Sequence, residues 1–259
     1  MKSNVYETDR LLTMYLLFHY GSETENLPYG FGPREALNFP QRCVDLCREA
    51  LGKWDGSEGP RALDLGCSVG RSTFEIARFC KEVVGMDASL KFVNAAQRLK
   101  ERGFIEYRKA EEGRLTSPVR AVVPKEVERS RVTFEQGDAC RLRADLGTFD
   151  IVLAANLIDR LREPQKCLQQ LPLHLRSGGV LAIVSPYTWM EEFTPPEQWL
   201  GGFERDGKLI RTFDTLRGFL EPSCSLITRM DMPFLMREHA RRFEWGVADA
   251  TVWKRKATV

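Results

Sequence analysis

Between Ala62 and Gly70 the chain reads ALDLGCSVG, an apolar run that breaks on two glycines just ahead of a helix-compatible stretch. No other feature restricts the fold as tightly. A short apolar strand must deliver the chain into a sharp turn, and glycine makes such a turn while leaving the backbone open to a ligand. The helix behind the turn presents free backbone N–H groups and a dipole that favours an anion such as a carboxylate. Gly66 and Gly70 do not reproduce the GxGxxG fingerprint of dinucleotide folds, because the third, close-packing glycine is absent.

From this turn onward strand-like and helix-like stretches alternate. RALDLG is the first strand, with a helix predicted over 71–80; KEVVGMD is the second, with a helix over 89–102. RVTFEQGD, TFDIVLAAN and GGVLAIVSP follow as the third, fourth and fifth strands, the last preceded by a helix over 164–173. Short, β-branched strands in this rhythm imply a buried parallel sheet with helices on both faces, a doubly wound α/β fold. Ahead of it, residues 6–20 carry Leu11, Leu12, Tyr15, Leu16, Phe18 and His19 at helical spacing, with Gly21 placed to end the helix; a second helix is expected over 40–51. These helices, within residues 1–55, are positioned to cap the mouth of a site floored by the sheet. Near the C-terminal end, 223–232 and 243–254 read as strands joined by a helical PFLMREHARR, giving an antiparallel finish. Residues 107–131 are charged, carry two prolines and are too long for an ordinary connection, so they read as an insertion, either mobile or a substrate lid. At 259 residues the chain is read as one domain with that cap and that insertion.

A net charge of +2 argues against a dedicated nucleic-acid or membrane-surface binder and for a small partner. The seven cysteines form no CxxC pair; Cys43 and Cys47 share a helix, but with three histidines in the chain no metal site is expected. Reduced thiols, no signal-peptide pattern and no membrane-length apolar run give an expected cytoplasmic location.

Three acids stand at the carboxyl ends of successive strands, where doubly wound sheets bind ligands. Asp64 can face an ammonium group, directly or through water. Asp87, followed by Ala88, is placed to accept from a ribose diol. Asp138 can accept from an adenine amino group while the amide of Ala139 donates to the ring. These residues, in this order, resemble the S-adenosylmethionine-dependent methyltransferases built on a seven-stranded, Rossmann-like sheet. The resemblance implies S-adenosylmethionine as cofactor, held by Asp64, Gly66, Cys67, Gly70, Asp87, Ala88, Asp138, Ala139 and Asn156. The usual pattern has a glycine where this chain has Ser68. In this class the loop after the fourth strand, here NLIDRL, faces the transferring methyl, which brings Asn156 and Asp159 toward the acceptor; Asp159 equally suits a helix N-terminus.

A narrower resemblance rests on YETDRLLTMYLLFHYG, LIDRL, VSPYTW and MPFLMREHARRFEWGVADATVWKR taken together. These segments resemble the methyltransferase that forms the C-terminal domain of ovothiol-synthesising enzymes. It implies methylation of an imidazole nitrogen of 5-thiohistidine (4-mercaptohistidine) to ovothiol A, with a separate sulfoxide synthase as partner. A hydrogen-bond acceptor must then hold the ring tautomer, and Asp159, Asn156 and Tyr20 are the candidates. Arg237 or Arg34 suits the amino acid's carboxylate, and His19 and His239 are candidate bases. Tyr15, Phe18, Tyr20, Tyr187 and Trp189 are candidate walls for the ring. The alternatives are a methyltransferase for another small acceptor and a non-catalytic cofactor-binding partner subunit.

Overall fold

The computed structural model describes residues 5–54, 56 and 58–257. Its strands in chain order are β1 (Arg61–Leu65), β2 (Glu82–Asp87), β3 (Phe104–Glu112), β4 (Leu115–Val122), β5 (Val132–Gln136) and β6 (Phe149–Ala155). Then come β7 (Leu175–Ser185), β8 (Phe203–Arg205), β9 (Lys208–Ile210), β10 (Cys224–His239) and β11 (Arg242–Arg255). The helices are α1 (Asp9–Tyr20), α2 (Glu23–Asn26), α3 (Phe39–Leu51), α4 (Arg71–Ile76), α5 (Leu90–Arg102), α6 (Pro164–Gln170) and α7 (Thr212–Leu220).

Seven strands form one sheet in the order β10-β11-β7-β6-β1-β2-β5. β1, β2, β5, β6 and β7 run parallel, and β11 is antiparallel to both β7 and β10. The seven-stranded, doubly wound α/β sheet expected from the sequence is therefore present. Alternation along the strands splits the core between the two faces: Ala62, Ile151 and Leu153 join one apolar cluster, Leu63, Leu65 and Val152 the other. The winding proceeds outward from β1 in both directions, so the crevice opens beyond the carboxyl ends of β1 and β6. No helix among the described residues is long and apolar enough to cross a membrane.

α1 is capped by Thr8, whose hydroxyl accepts from the Leu11 amide, and it ends at Gly21 as expected. A Cβ on Gly21 would sit 2.6 Å from the Leu17 carbonyl oxygen, so no larger residue closes the helix there without a shift.

Three elements differ from expectation. The helix predicted over 71–80 stops at Ile76. The PFLMREHARR segment is not a helix: it continues β10 to His239, paired with β11 apart from a register shift between Arg237 and His239. Its residues are covered on both sides, since Phe234 and Met236 enter one cluster and Leu235 another, and such a two-sided run carries no alternation to mark it as strand. Gly246, opposite Phe234, leaves space that a Cβ would close, 2.5 Å from the ring. Residues 107–131 are not an irregular insertion either. Their first part completes the β3–β4 hairpin, turned at Gly113 (φ 56°), which packs on α1 and β10. Glu111 in this hairpin pairs with Arg237 of β10 and with Lys109.

Candidate active site

The turn between β1 and α4 winds through three residues with left-handed backbone, Gly66 (φ 77°), Ser68 (φ 51°) and Gly70 (φ 83°). A Cβ on Gly66 would lie 2.9 Å from Leu157, and one on Gly70 would lie 2.5 Å from the Phe134 ring. Both glycines are required by space as well as by dihedral angle. Ser68, where the usual pattern has glycine, bears the strained conformation itself. The amides of Gly66 and Cys67 donate to the Met86 carbonyl at 2.8 and 3.0 Å, that of Ser68 to Asp87 Oδ2 at 2.8 Å, and that of Gly70 to the Cys67 carbonyl at 2.9 Å. These loop amides are spent shaping the turn. Gly66 and Ser68 border the cavity, whereas Cys67 and Gly70 are buried behind it.

The three acids open onto one cavity of about 500 Å³, within the size range of small-molecule sites. Asp64 is 2% exposed and accepts from Ser72 Oγ and Thr73 Oγ1, each at 2.6 Å; burial pushes its pKa up to about 6 against the pull of those hydroxyls. Asp87 accepts the amides of Ser89 and Ser68 at 2.8 Å, one on each carboxylate oxygen, and burial again raises its pKa. Asp138 is exposed and takes the Cys140 amide at 2.8 Å. Ala88 and Ala139 border the cavity beside them. Asn156, at the end of β6, is held left-handed (φ 49°) with its amide on the Val184 carbonyl. Its Oδ1 is buried without a hydrogen-bond partner. Such atoms are rare in folded proteins and call for an explanation.

The opposite wall is a cap of distant segments. Tyr6, Tyr15, Phe18 and His19 come from the N-terminal region, Phe39 and Cys43 from α3, Met236 from β10, and Glu192 and Phe193 from the loop after β7. Tyr6 meets Tyr15, Phe92 and Phe193 at ring-centroid distances of 6.2, 5.9 and 5.8 Å, while its carbonyl accepts from Ser89 Oγ. His19 packs against Phe18 and Tyr15, and its Nδ1 is buried without a partner. Burial, helped by the charge of Arg71, lowers its pKa to about 3, so the ring is neutral.

The other candidates lie elsewhere. Tyr20 donates to the Val69 carbonyl at 2.9 Å with the Arg71 guanidinium over its ring, bracing the glycine turn from outside the cavity. Asp159 is 1% exposed; its Oδ2 accepts from the Thr188 amide at 2.8 Å and from Arg160 at 3.0 Å. Tyr187 donates to Asp249 at 2.9 Å, and the Trp189 indole donates to Thr212. Arg237 is 3% exposed, bonds Glu111 and the Glu25 carbonyl through its two terminal nitrogens, and does not line the cavity. Arg34 is exposed and donates to the Tyr29 carbonyl. His239 sits at the end of β10, where its Nδ1 takes the Arg241 amide. None of the residues 107–131 lines the cavity.

Arg160, Arg162, Glu192, Phe193, Tyr6 and Met236 are cavity residues that sequence reasoning did not single out. Arg160 alone carried a readable signal, as the cation within LIDRL beside Asn156.

Residues 63–183 match the model of a family described as a methyltransferase domain. Ajmaline N-methyltransferase of Rauvolfia serpentina is 26% identical over 148 residues, a match covering 56% of this chain and 42% of that protein. The chain thus spans less than half of the relative's length. Among solved structures, N-methyltransferase NodS of Bradyrhizobium japonicum WM9 with S-adenosyl-L-homocysteine superposes with a TM-score of 0.52 at 15% identity, over 93% of this chain and 100% of that one. Magnesium protoporphyrin IX methyltransferase of Synechocystis PCC 6803 with bound S-adenosylmethionine gives 0.51 at 17% identity, over 98% and 100%. At these identities the likeness is one of fold. The match to the methyltransferase-domain family covers residues 63–183, and the fold shared with these structures is the seven-stranded, Rossmann-like sheet.

Proposed function

We propose that this chain is a small-molecule N-methyltransferase that methylates an imidazole nitrogen of 5-thiohistidine, using S-adenosylmethionine and giving ovothiol A. The observation that carries methyl transfer is that the three strand-end acids and Asn156 border a single cavity closed by an aromatic cap. Nitrogen as acceptor atom is supported by the N-methyltransferase matched in sequence. Thiohistidine is supported by the resemblance of both chain ends and of LIDRL to the ovothiol-forming methyltransferases. A separate sulfoxide synthase then belongs upstream.

The residues fit the cofactor. His19 Nδ1, Ser68 Oγ and Asn156 Oδ1 are buried polar atoms without partners, all on residues of the same cavity, and a polar ligand relieves that cost. Asp87 suits the ribose diol, Asp138 and Ala139 the adenine, and Asp64 the ammonium. When bound, S-adenosylmethionine supplies a sulfonium methyl, whose carbon a nitrogen lone pair takes as the carbon–sulfur bond breaks. The protein's own contribution is alignment and exclusion of water. Phe18, Phe39, Tyr15 and Met236 form the dry part of the wall. Of the groups considered for holding the ring tautomer, Asn156 reaches the cavity while Asp159 and Tyr20 do not. His19 stays neutral and adds no charge against a sulfonium, and its depressed basicity suits Nδ1 to hydrogen bonding with a ligand rather than to taking a proton.

Incubation with S-adenosylmethionine and competing 5-thiohistidine, histidine and a phenol, read by mass spectrometry with fragmentation, tests the reading. Ring-nitrogen methylation of thiohistidine in preference to histidine is the expected result. Transfer to sulfur, to the α-amine or preferentially to histidine overturns the acceptor, and cofactor binding without turnover of any acceptor overturns the activity.

A further inference from the structure

An amino-acid acceptor needs a cation for its carboxylate, and the two arginines expected for that task are out of place: Arg237 is bonded inside the fold and Arg34 lies on the surface. The cavity wall nevertheless contains a guanidinium that is held but not used up. Arg160 Nη1 donates to the Asp159 carbonyl at 3.0 Å, to Asp159 Oδ2 at 3.0 Å and to the Thr188 carbonyl at 2.8 Å. Its guanidinium carbon lies 5.0 Å from the centre of the Phe193 ring, and the Tyr6 hydroxyl meets the same group. The Asp159 and Thr188 acceptors all gather on Nη1, so beyond the Tyr6 contact donors remain on the other nitrogens of the planar fork, the geometry that matches a carboxylate. Asp159 is itself fixed by the Thr188 amide, which ties the loop after β6 to the loop after β7. A side chain held on this many sides has little rotamer freedom left to lose on binding. The other charged cavity residues of these loops, Arg162 and Glu192, are exposed and lack such anchoring.

We infer that Arg160 binds the carboxylate of the acceptor, with Asp159 as its positioning residue, so that the site selects a carboxylate-bearing imidazole over the corresponding amine. This rests on the N-methyltransferase reading and specifies its substrate class. Arg160, next to Asn156 in the same loop, would place the acceptor's anionic end beside the methyl-facing part of the cavity.

The test compares 5-thiohistidine with its decarboxylated amine in wild type, Arg160→Gln, Arg160→Lys and Asp159→Asn. The wild type should favour the carboxylated acceptor by roughly 10- to 100-fold in kcat/KM, the scale for a charged hydrogen-bonded contact. R160Q should lose that preference through KM, the carboxylated acceptor falling more than the amine. R160K, which keeps charge but not the fork, should fall between. D159N should raise KM for the carboxylated acceptor with kcat retained, and S-adenosylmethionine affinity by calorimetry should be unchanged in all variants. Equal losses for both acceptors, or a preference that survives in R160Q and R160K, overturns the assignment. If wild type methylates neither compound, the proposed reaction falls. Calorimetry of histidine against histamine with S-adenosylhomocysteine present then decides Arg160 by itself, with equal affinities in wild type counting against it.

Discussion

The sheet side of the cavity is built from short runs at strand ends, 64–66 with 68, 86–89 and 137–139, whereas the cap side draws Tyr6, Tyr15 and His19, Phe39 and Cys43, Glu192 and Phe193, and Met236 from four separated stretches. On the sheet side the buried acids are satisfied locally: Asp87 takes two amides within the loops it joins, and Asp64 takes two hydroxyls from the next helix. On the cap side contacts span much of the chain, as where Arg237 meets the Glu25 carbonyl 212 positions away and Glu111 126 positions away. The difference separates two tasks. A cofactor is held by backbone turns and strand-end carboxylates, which a few adjacent residues can build. An acceptor is chosen by side chains whose positions depend on the packing of remote elements.

Cutting the cap's long-range tie is the most forceful way to break this comparison. Glu111→Ala leaves Arg237 buried with only the Glu25 carbonyl, and removal of one partner of such a pair should cost about 3 kcal/mol of stability. Denaturant unfolding should show the loss while the folded variant keeps its cofactor affinity. A fall in cofactor affinity at unchanged stability would show that the two sides are not separable.

Asp87→Ala probes the sheet side in turn. It should weaken S-adenosylmethionine binding by about 2 kcal/mol, the scale for leaving ligand hydroxyls unpaired, without changing acceptor KM at saturating cofactor. Calorimetry on the folded variant measures it, and undiminished affinity removes Asp87 from the site.

Acid titration sets one group from each side against the other. Burial holds His19 near 3 in the folded chain against an ordinary 6.5. The unfolded chain therefore binds more protons in that window, and stability falls as pH drops through it, by about 2 kcal/mol between pH 8 and 5. Asp64 acts oppositely: its folded value near 6 lies above the ordinary 3.8, so the folded chain binds more protons and acid favours it, by about 1 kcal/mol at pH 5. Unfolding midpoints against pH should flatten in His19→Gln and steepen in Asp64→Asn. Parallel curves for wild type and both variants would contradict the buried placement of these groups.

The smallest effect belongs to Arg34→Ala. An exposed side chain bonded to a neighbouring carbonyl should alter the acceptor KM by no more than about twofold. A larger rise would return the surface arginine to the acceptor site and sharpen where the cap ends.

The strands around the cofactor were legible because each is short, apolar and closed by glycine or acid, and the residues that matter adjoin them. Asp64, Asp87, Asp138 and Asn156 all reached the cavity. PFLMREHARR misled because a strand buried on both faces loses its alternation, and its Met, Arg, Glu and Ala content suits a helix equally well. Arg237 misled for a related reason: an arginine near the chain end reads as available, but β11, the hairpin and α2 enclose it.

By itself, the sequence determined the winding of the sheet and the cofactor turn, since these follow from periodicity, from glycines where a Cβ has no room, and from acids at strand ends. Tertiary structure alone decided which cation borders the cavity and that His19 is buried against it. Arg160 and Arg237 carry the same functional group; what separates them is that one guanidinium borders the cavity while the other is consumed by a carboxylate some 126 residues away in the chain. Desolvation and partner geometry arise only when distant segments meet, and no local pattern encodes them.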